Sequence, residues 1–299
     1  MPDAVELRNI RKSYDRFVAV DGLSLNIRAG GVYGLLGPNG AGKTSTIRMM
    51  IGITLPDEGE ILLFGEPFHR EQLHRIGYLP EERGLYKKMK VLDHLIFLGR
   101  LHSLPEPEAR KRSLAWCERL QLSDWIDKKV EELSKGMQQK LQFIATLLHD
   151  PDLVIMDEPF SGLDPANSVM LKDVLIELKK SGKTILFSTH RMDQVERLCD
   201  AICLIDHGRA VLEGDLKKIK ARYGKNHVQM QYDGDPRLDG SELVQSFNNY
   251  GNYVEVRLVP GADAQQLLRM AADRARISRF EVVEPSLEEI FIEQVGKHD

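Results

Sequence analysis

A glycine-rich segment near the N-terminus reads Gly37-Pro38-Asn39-Gly40-Ala41-Gly42-Lys43-Thr44, with Ser45 directly after it. It matches the pattern G-x-x-x-x-G-K-[ST], in which glycines at positive φ let successive backbone N–H groups form an anion nest. The lysine of this pattern reaches the β- and γ-phosphates, and the hydroxyl that follows can ligate Mg²⁺. Val32 to Leu36 predicts a buried strand before the segment, and Lys43 to Ile51 predicts a helix after it. Residues 37–45 are therefore the predicted phosphate-binding residues of a nucleoside triphosphate site.

A second apolar run, Leu153 to Met156, ends in Asp157 and Glu158. Such a run is typical of a buried parallel strand, and catalytic groups lie at the carboxyl ends of these strands. We predict that Asp157 holds Mg²⁺, directly or through water, and that Glu158 polarises the attacking water. Two acids facing solvent are the alternative. Lys43 and Asp157 together supply both halves of a Mg-nucleotide site, which favours the catalytic interpretation.

The segment Leu133 to Lys140 contains Ser134 and Gly136 at the start of a predicted amphipathic helix, Gln138 to His149. The helix start, with its backbone N–H groups and a hydroxyl, predicts another anion site. Ser134 lies 23 residues before Asp157. This arrangement resembles the signature motif of the ATP-binding cassette (ABC) ATPases.

Further motifs of that family follow in order. Ser161-Gly162-Leu163-Asp164 resembles the D-loop, a tight turn that crosses to a partner subunit. Ser188-Thr189-His190, after the predicted strand Thr184 to Phe187, resembles the switch histidine, so the resemblance implies that His190 senses the γ-phosphate. Tyr14 sits where this family stacks an aromatic ring on adenine, although a core role competes for this single aromatic.

The sequence departs from the family pattern at two places. Lys135 and Met137 replace residues of the usual signature, while Ser134 and Gly136 remain. Glu81 occupies the position of the Q-loop glutamine. A carboxylate there would bind Mg²⁺ more strongly than an amide but would repel the γ-phosphate, so Glu81 is predicted as a metal ligand, with coupling to a membrane partner as the alternative. Both departures resemble the ATP-binding subunits of bacterial sodium-extrusion exporters, which carry a small C-terminal extension.

The predicted fold class is α/β. The resemblance implies a P-loop NTPase (ABC ATPase) core with an antiparallel β-layer and a helical subdomain, followed by a small C-terminal α/β domain. The ATP-binding domain is expected at residues 1–222, with the helical subdomain at about 87–150, and the accessory domain at 223–299. The β-layer is predicted from Val5 to Asn9, Leu23 to Ile27 and Glu60 to Phe64. Trp116 and Trp125 are predicted to lie in the core of the helical block.

Composition narrows the possible partners. The 299 residues carry a formal net charge of −4, and the pI is about 6.2, which gives no electrostatic basis for binding nucleic acid. No apolar run approaches the roughly 20 residues that span a bilayer, and the acidic, polar N-terminus is not a secretory signal. Three cysteines outside C-x-x-C pairs predict buried reduced thiols. We therefore expect a cytoplasmic protein that reaches the membrane through a partner.

The resemblance implies an ATPase subunit of an ABC exporter with ATP and Mg²⁺ as cofactors. One chain would supply its P-loop, Glu81, Asp157, Glu158 and His190, and a second copy or a related ATPase would supply Ser134 and Gly136. The expected partners are this second ATPase and an integral membrane permease docked on the helical subdomain. The alternative is a soluble, non-transport cassette ATPase of the translation or DNA-repair type, which usually has two cassettes or a long coiled-coil insert. The sequence leaves the transported substrate open.

Overall fold

The computed structural model describes residues 3–82, 84–224 and 226–295. Contacts divide the chain into two compact units, one that ends at Gly214 and one that begins at Asp215, whereas the sequence-based boundary lies between residues 222 and 223. The first unit contains, in chain order, β1 (Asp3–Tyr14), β2 (Phe17–Arg28), β3 (Val32–Leu36), α1 (Lys43–Met50), β4 (Glu58–Leu63), β5 (Glu66–Pro67), β6 (Ile76–Leu79), α2 (Val91–Leu101), α3 (Glu106–Arg119), α4 (Lys135–Leu147), β7 (Leu153–Asp157), α5 (Pro165–Lys180), β8 (Thr184–Thr189), α6 (Met192–Leu198), β9 (Ala201–Asp206) and β10 (Arg209–Asp215).

The central sheet of the first unit has the strand order β10-β9-β3-β8-β7-β6. β3 runs parallel to β8 and β9, and β7 runs parallel to β6 and β8. Strands β3, β7 and β8 are buried along their whole length, as their continuous apolar sequences predict. The crossovers that put β8 between β3 and β7 bring the carboxyl ends of five parallel strands to one edge of the sheet. This edge carries the segments that the sequence identified.

A separate antiparallel layer has the order β2-β1-β4-β5. Its predicted strands are confirmed and are longer than the alternation suggested. β1 and β2 form a hairpin in which Tyr14 pairs with Phe17, and Asp15 in the turn has a φ of 52°. Apolar residues of this layer, among them Val5, Leu7 and Ile27, pack in one core cluster with Leu35 and Ile155 of the central sheet. The hairpin therefore has a fixed position relative to β3.

Helices α2, α3 and α4 and two short 3₁₀ segments, Ser123–Trp125 and Val130–Glu132, form the helical region. Buried apolar side chains such as Leu95, Ala109 and Phe143 line the inner faces of the three helices. Trp116 and Trp125 are only half-buried, so the prediction that they form the core was wrong. The Arg119 guanidinium lies 5.0 Å from the centre of the Trp116 ring.

The second unit contains α7 (Leu216–Tyr223), β11 (His227–Gly234), β12 (Val244–Asn249), β13 (Tyr253–Leu258), α8 (Ala264–Ala272), β14 (Ala275–Val283) and α9 (Leu287–Val295). Its antiparallel sheet has the order β12-β13-β11-β14. Alternate residues Val228, Met230, Val254 and Val256 are fully buried in one cluster with Leu267 of α8. This is the α/β arrangement that the alternation predicted for the region.

The sequence predictions differ from the second unit at two places. The helix predicted over Ala264 to Arg276 ends at Ala272, and residues from Ala275 onward pair with β11. β12 was not predicted, because a register shift between Val244 and Ser246 interrupts its alternation. Across residues 3–82, 84–224 and 226–295, no helix combines the length and the apolar character needed to cross a bilayer.

Candidate nucleotide site

The glycine-rich loop connects β3 to α1, as predicted. Gly42, with a φ of 106°, is the N-terminal cap of α1, and a Cβ on it would lie 2.3 Å from the carbonyl oxygen of Ala19. Only glycine fits such a position, because both the backbone angle and the close contact exclude a side chain. Gly40 has a φ of 81°, and apart from its chain neighbours no atom of the described residues lies within 4 Å of a Cβ built on it. The loop is thus anchored at Gly42 and open on the side where a phosphate would lie.

Lys43 begins α1 and is 7% exposed. Its Nζ donates hydrogen bonds to the carbonyl oxygens of Gly37 at 2.8 Å and Pro38 at 3.0 Å. Burial lowers the pKa of this ammonium, and the charges of Glu158, Asp157 and Glu81 act in the opposite direction. Lys43 therefore lies in the field of the three carboxylates that the sequence analysis assigned to this site.

Asp157 ends β7 and is 1% exposed. Its Oδ2 accepts a hydrogen bond from the Thr44 hydroxyl at 2.8 Å, and its Oδ1 accepts one from the Ser188 hydroxyl. The structure thus brings together the hydroxyl and the carboxylate that the sequence predicted as Mg²⁺ ligands, from segments 113 residues apart. Both are hard oxygen donors, which suit Mg²⁺.

The predicted Mg²⁺ site contains few protein ligands. No group of three or more His, Cys, Asp or Glu side chains is arranged as a metal site among the described residues. Mg²⁺ is usually held through one or two carboxylates together with substrate phosphates and water rather than by an all-protein cage. Thr44 and Asp157 are oxygen donors in mutual contact, and Glu81 lines the same cavity.

Glu158 has a left-handed backbone, with a φ of 48°. Its Oε1 accepts hydrogen bonds from the backbone N–H of His190 at 3.0 Å and from its ring Nδ1 at 2.8 Å, and its Oε2 accepts one from the Thr189 hydroxyl at 3.2 Å. The Glu158 side chain is 11% exposed, whereas that of His190 is 51% exposed. The predicted base and the predicted switch histidine are thus in direct contact.

Glu81 and Tyr14 complete the predicted set on this side. Glu81 is exposed just after β6, whose last residue pairs with Met156 of β7. Tyr14 is 40% exposed at the tip of the β1–β2 hairpin, and the ammonium of Lys12 lies 5.8 Å from its ring centre. This exposure makes the core role weighed for Tyr14 wrong.

A cavity of about 520 Å³ joins these groups. Its size suits a nucleotide-sized ligand. Its lining comprises the hairpin, the glycine-rich loop and the ends of the three central strands: Tyr14, Phe17, Ala19, Asn39, Gly40, Gly42, Lys43, Thr44, Ser45, Glu81, Asp157, Glu158, Ser161 and His190.

Several site residues were missed by the sequence analysis. Phe17 and Ala19 line the cavity, and Ser188 and Thr189 hold the two carboxylates. A signal for Phe17 existed, because it flanks a two-residue turn after Tyr14. For Ser188 the sequence signal was limited to its position at the end of a predicted buried strand, because its pairing with Asp157 depends on the strand order.

Ser134 and Gly136 lie elsewhere. Ser134 is the exposed N-terminal cap of α4, and its hydroxyl accepts a hydrogen bond from the N–H of Met137 at 3.3 Å. Gly136 is half-buried, and a Cβ on it would lie 3.4 Å from the side-chain nitrogen of Asn167. Neither residue lines the cavity. The structure of one chain therefore does not bring the signature residues to the glycine-rich loop.

The parallel sheet, the loop before α1 and the carboxylates at the end of β7 define a P-loop ATPase with an added antiparallel layer and a helical region. Residues 20–161 match the family described as ABC transporter, and residues 214–295 match the family described as ATP-binding protein DrrA1-3-like, C-terminal domain.

Relatives match nearly the whole chain. An uncharacterised ABC transporter ATP-binding protein, YhaQ, of Bacillus subtilis is 46% identical over 96% of this chain and 97% of its own length. Nod factor export ATP-binding protein I of Rhizobium sp. strain N33 is 35% identical over 98% of this chain and 97% of its own length. A solved ATP-binding subunit of an ABC transporter has 30% identity and a TM-score of 0.68, with coverage of 74% of this chain and 93% of that one.

The chain belongs to the ABC transporter ATPase family. It is the ATP-binding and ATP-hydrolysing subunit of an ABC transporter, with a DrrA-like C-terminal domain. These comparisons confirm the family resemblance and the C-terminal extension inferred from the sequence. They give no support to the alternative of a soluble, non-transport cassette ATPase.

Proposed function

We propose that the chain hydrolyses ATP as a dimer with composite sites. The supporting observation is that the cavity contains the P-loop, Glu158 and His190 but not Ser134 or Gly136. Ser134 is exposed at the N-terminus of a 13-residue helix, where backbone N–H groups favour an anion. A second copy of the chain, or a related ATPase, would bring its own Ser134 and Gly136 to the γ-phosphate. A single chain then has two half-sites and no complete one.

Within each site, residues 37–45 bind the phosphates, Tyr14 stacks on adenine and His190 senses the γ-phosphate. Thr44, Asp157 and Glu81 hold Mg²⁺, which would neutralise phosphate charge when bound. Glu158 is the general base, because a carboxylate with spare lone pairs can accept a proton from water. In this structure its oxygens contact Thr189 and His190, so any movement of this switch segment would reach the base directly.

The proposed partner is an integral membrane permease, which holds the chain at the cytoplasmic face of the membrane. Closure of the dimer around ATP and its reopening would drive the permease through the helical subdomain at about 87–150. An exporter is favoured because several relatives are Nod factor export proteins. The sequence-based proposal gives residues 1–222 to the ATP-binding domain and 223–299 to an accessory domain, whereas the compact units divide between Gly214 and Asp215 and the C-terminal family match begins at residue 214.

The Glu158→Gln variant tests this proposal. It keeps the shape and the hydrogen-bonding oxygen of the side chain but loses the base, so hydrolysis should fall by ~10²- to 10⁴-fold while ATP still binds. An ATP-dependent dimer should then accumulate, measured by light scattering coupled to size-exclusion chromatography. The matched control is Glu118→Gln on the exposed surface of α3. Near-normal turnover would remove Glu158 from its role, and a monomer at saturating ATP would contradict the composite site.

A further inference from the structure

Ser188 connects the two acidic residues at the end of β7. It is fully buried on β8, where it pairs directly with Asp157 in the parallel register. Its hydroxyl donates a hydrogen bond to Oδ1 of Asp157 and accepts one from the backbone N–H of Glu158 at 3.2 Å. A serine hydroxyl has a single proton. That proton is donated to Asp157, the predicted metal ligand, and a lone pair of the same oxygen accepts the backbone N–H of Glu158, the predicted base.

The contact with Glu158 falls at a strained position. A left-handed backbone at a non-glycine residue is strained and persists only where surrounding contacts hold it. At Glu158 the N–H group donates to both the carbonyl oxygen and the hydroxyl of Ser188, each at 3.2 Å. This turn directs the Glu158 carboxylate to Thr189 and His190. Ser188 therefore holds the conformation that sets the direction of the base.

The carboxylate of Asp157 is also held from two sides. Thr44 donates to Oδ2 from the start of α1, and Ser188 donates to Oδ1 from β8. Among the contacts of the described residues, loss of the Ser188 hydroxyl would leave the Asp157 carboxylate with the Thr44 bond alone, about which it could rotate. One hydroxyl thus controls the orientation of Asp157 and the backbone of Glu158 at the same time.

We propose that Ser188 is a positioning residue for ATP hydrolysis, which fixes the metal ligand Asp157 relative to the base Glu158. This inference rests on the proposed roles of those two residues. Ser188 does not itself line the cavity and reaches it only through Asp157 and Glu158, so its contribution should appear in turnover and in the Mg²⁺ requirement rather than in nucleotide affinity.

The test compares Ser188→Ala with Thr184→Val in the purified chain. Thr184 is a buried hydroxyl at the opposite end of the same strand, where it accepts a hydrogen bond from the Gly30 N–H at 3.0 Å. We expect Ser188→Ala to lower kcat by about tenfold or more, as for the loss of a hydrogen bond to a charged group. The Mg²⁺ concentration for half-maximal hydrolysis should rise, metal-free ATP affinity should stay the same, and Ser188→Thr should recover turnover. Thr184→Val should leave kcat unchanged.

A double-mutant cycle separates positioning from a structural role. If Ser188 acts on kcat through Glu158, Ser188→Ala should lower kcat little further in a Glu158→Gln background, because the base is already absent, while its effect on the Mg²⁺ requirement through Asp157 should remain. All rates are divided by the titrated number of ATP-binding sites, so partial unfolding cannot imitate the effect. A change in kcat within about twofold, or an equal loss in both backgrounds, would overturn the proposal. If the proposed function itself is wrong, the result is distinguishable, because the Glu158→Gln single variant would then remain active.

Discussion

At the scale of single residues, Glu81 adds a negative charge to the wall of the cavity where the family pattern has a neutral amide. It is exposed and lies close enough for its charge to oppose the burial effect on the pKa of Lys43. A carboxylate in this position can attract a metal ion, and it also repels a phosphate that arrives without one. The balance between these two effects can be measured.

We expect Glu81→Gln to raise the Mg²⁺ concentration needed for half-maximal hydrolysis, because one anionic oxygen ligand is lost. Nucleotide binding without metal should stay equal or become tighter, since a repulsive charge is removed. Titration of Mg²⁺ at fixed ATP measures the first effect, and binding of a fluorescent ATP analogue in EDTA measures the second. The control is Glu82→Gln, an exposed neighbour that does not line the cavity. Superimposable titrations would exclude the metal role and leave Glu81 as a residue that couples to the permease.

At the scale of elements, α2 contains an ionisable side chain, His94, that is buried without hydrogen bonds to offset its loss of hydration. His94 is fully buried, and neither ring nitrogen has a hydrogen-bond partner within residues 3–82, 84–224 and 226–295. Its ring centre lies 5.7 Å from that of Tyr86. Burial lowers the pKa of His94 from 6.5 to about 4. The imidazole is therefore neutral in the folded chain at pH values where the unfolded chain would bind a proton.

This predicts a loss of stability in acid that is specific to His94. Because the pKa of His94 is lower in the folded chain than in the unfolded chain, the folded chain keeps its full stability above pH 6.5. Stability is lost as the pH falls from 6.5 toward 4, where the unfolded chain binds a proton that the folded chain does not. His94→Phe should flatten the dependence of the unfolding free energy on pH in this window. At neutral pH it should be neutral or stabilising, since two unpaired buried nitrogens are removed. Urea titrations from pH 4 to 7 measure this, with the 92% exposed His207 changed to Asn as the control. Parallel pH profiles for His94→Phe and the unaltered chain would contradict the prediction.

The elements that sequence could predict are those whose signal is local. Continuous apolar runs gave β3, β7 and β8, and the motif residues follow these runs directly, so the edge of the sheet that carries the site was predictable. β12 was missed, because its bulge breaks the alternation on which the prediction depends. The contacts of Ser188 could not be predicted, because they depend on which strands become neighbours. That order is set by crossovers far apart in the sequence.

At the scale of the whole molecule, the position of Ser134 outside the cavity predicts that function requires two chains. Ser134→Asp keeps a good helix cap but places a negative charge where the γ-phosphate of the opposite chain would lie. Ser134→Asn is its neutral control, with the same capping ability.

Lys43→Ala should remove tight ATP binding in its own chain, because the phosphates lose their main side-chain cation.

Mixing the Lys43→Ala and Ser134→Asp chains provides the test. In a mixed dimer both defects fall in one composite site, and the other site is intact. We expect hydrolysis to exceed that of either variant alone, and we expect one nucleotide bound tightly per mixed dimer by equilibrium dialysis. Mixing with Ser134→Asn chains calibrates the rate of one normal site. Rates and nucleotide counts equal to the average of the separate variants would indicate that each chain works by itself.

The two hydrogen bonds from Lys43 to the carbonyl oxygens of Gly37 and Pro38 have a consequence for how fast and how tightly ATP binds. These bonds hold the loop in a curve around its own cation, so binding of a triphosphate does not have to order a loose chain. Little conformational entropy is then lost on association, whereas the bonds that Lys43 makes to phosphate replace its bonds to these carbonyl oxygens. Calorimetry should therefore find binding heats smaller than the new phosphate contacts alone would give, together with rapid association.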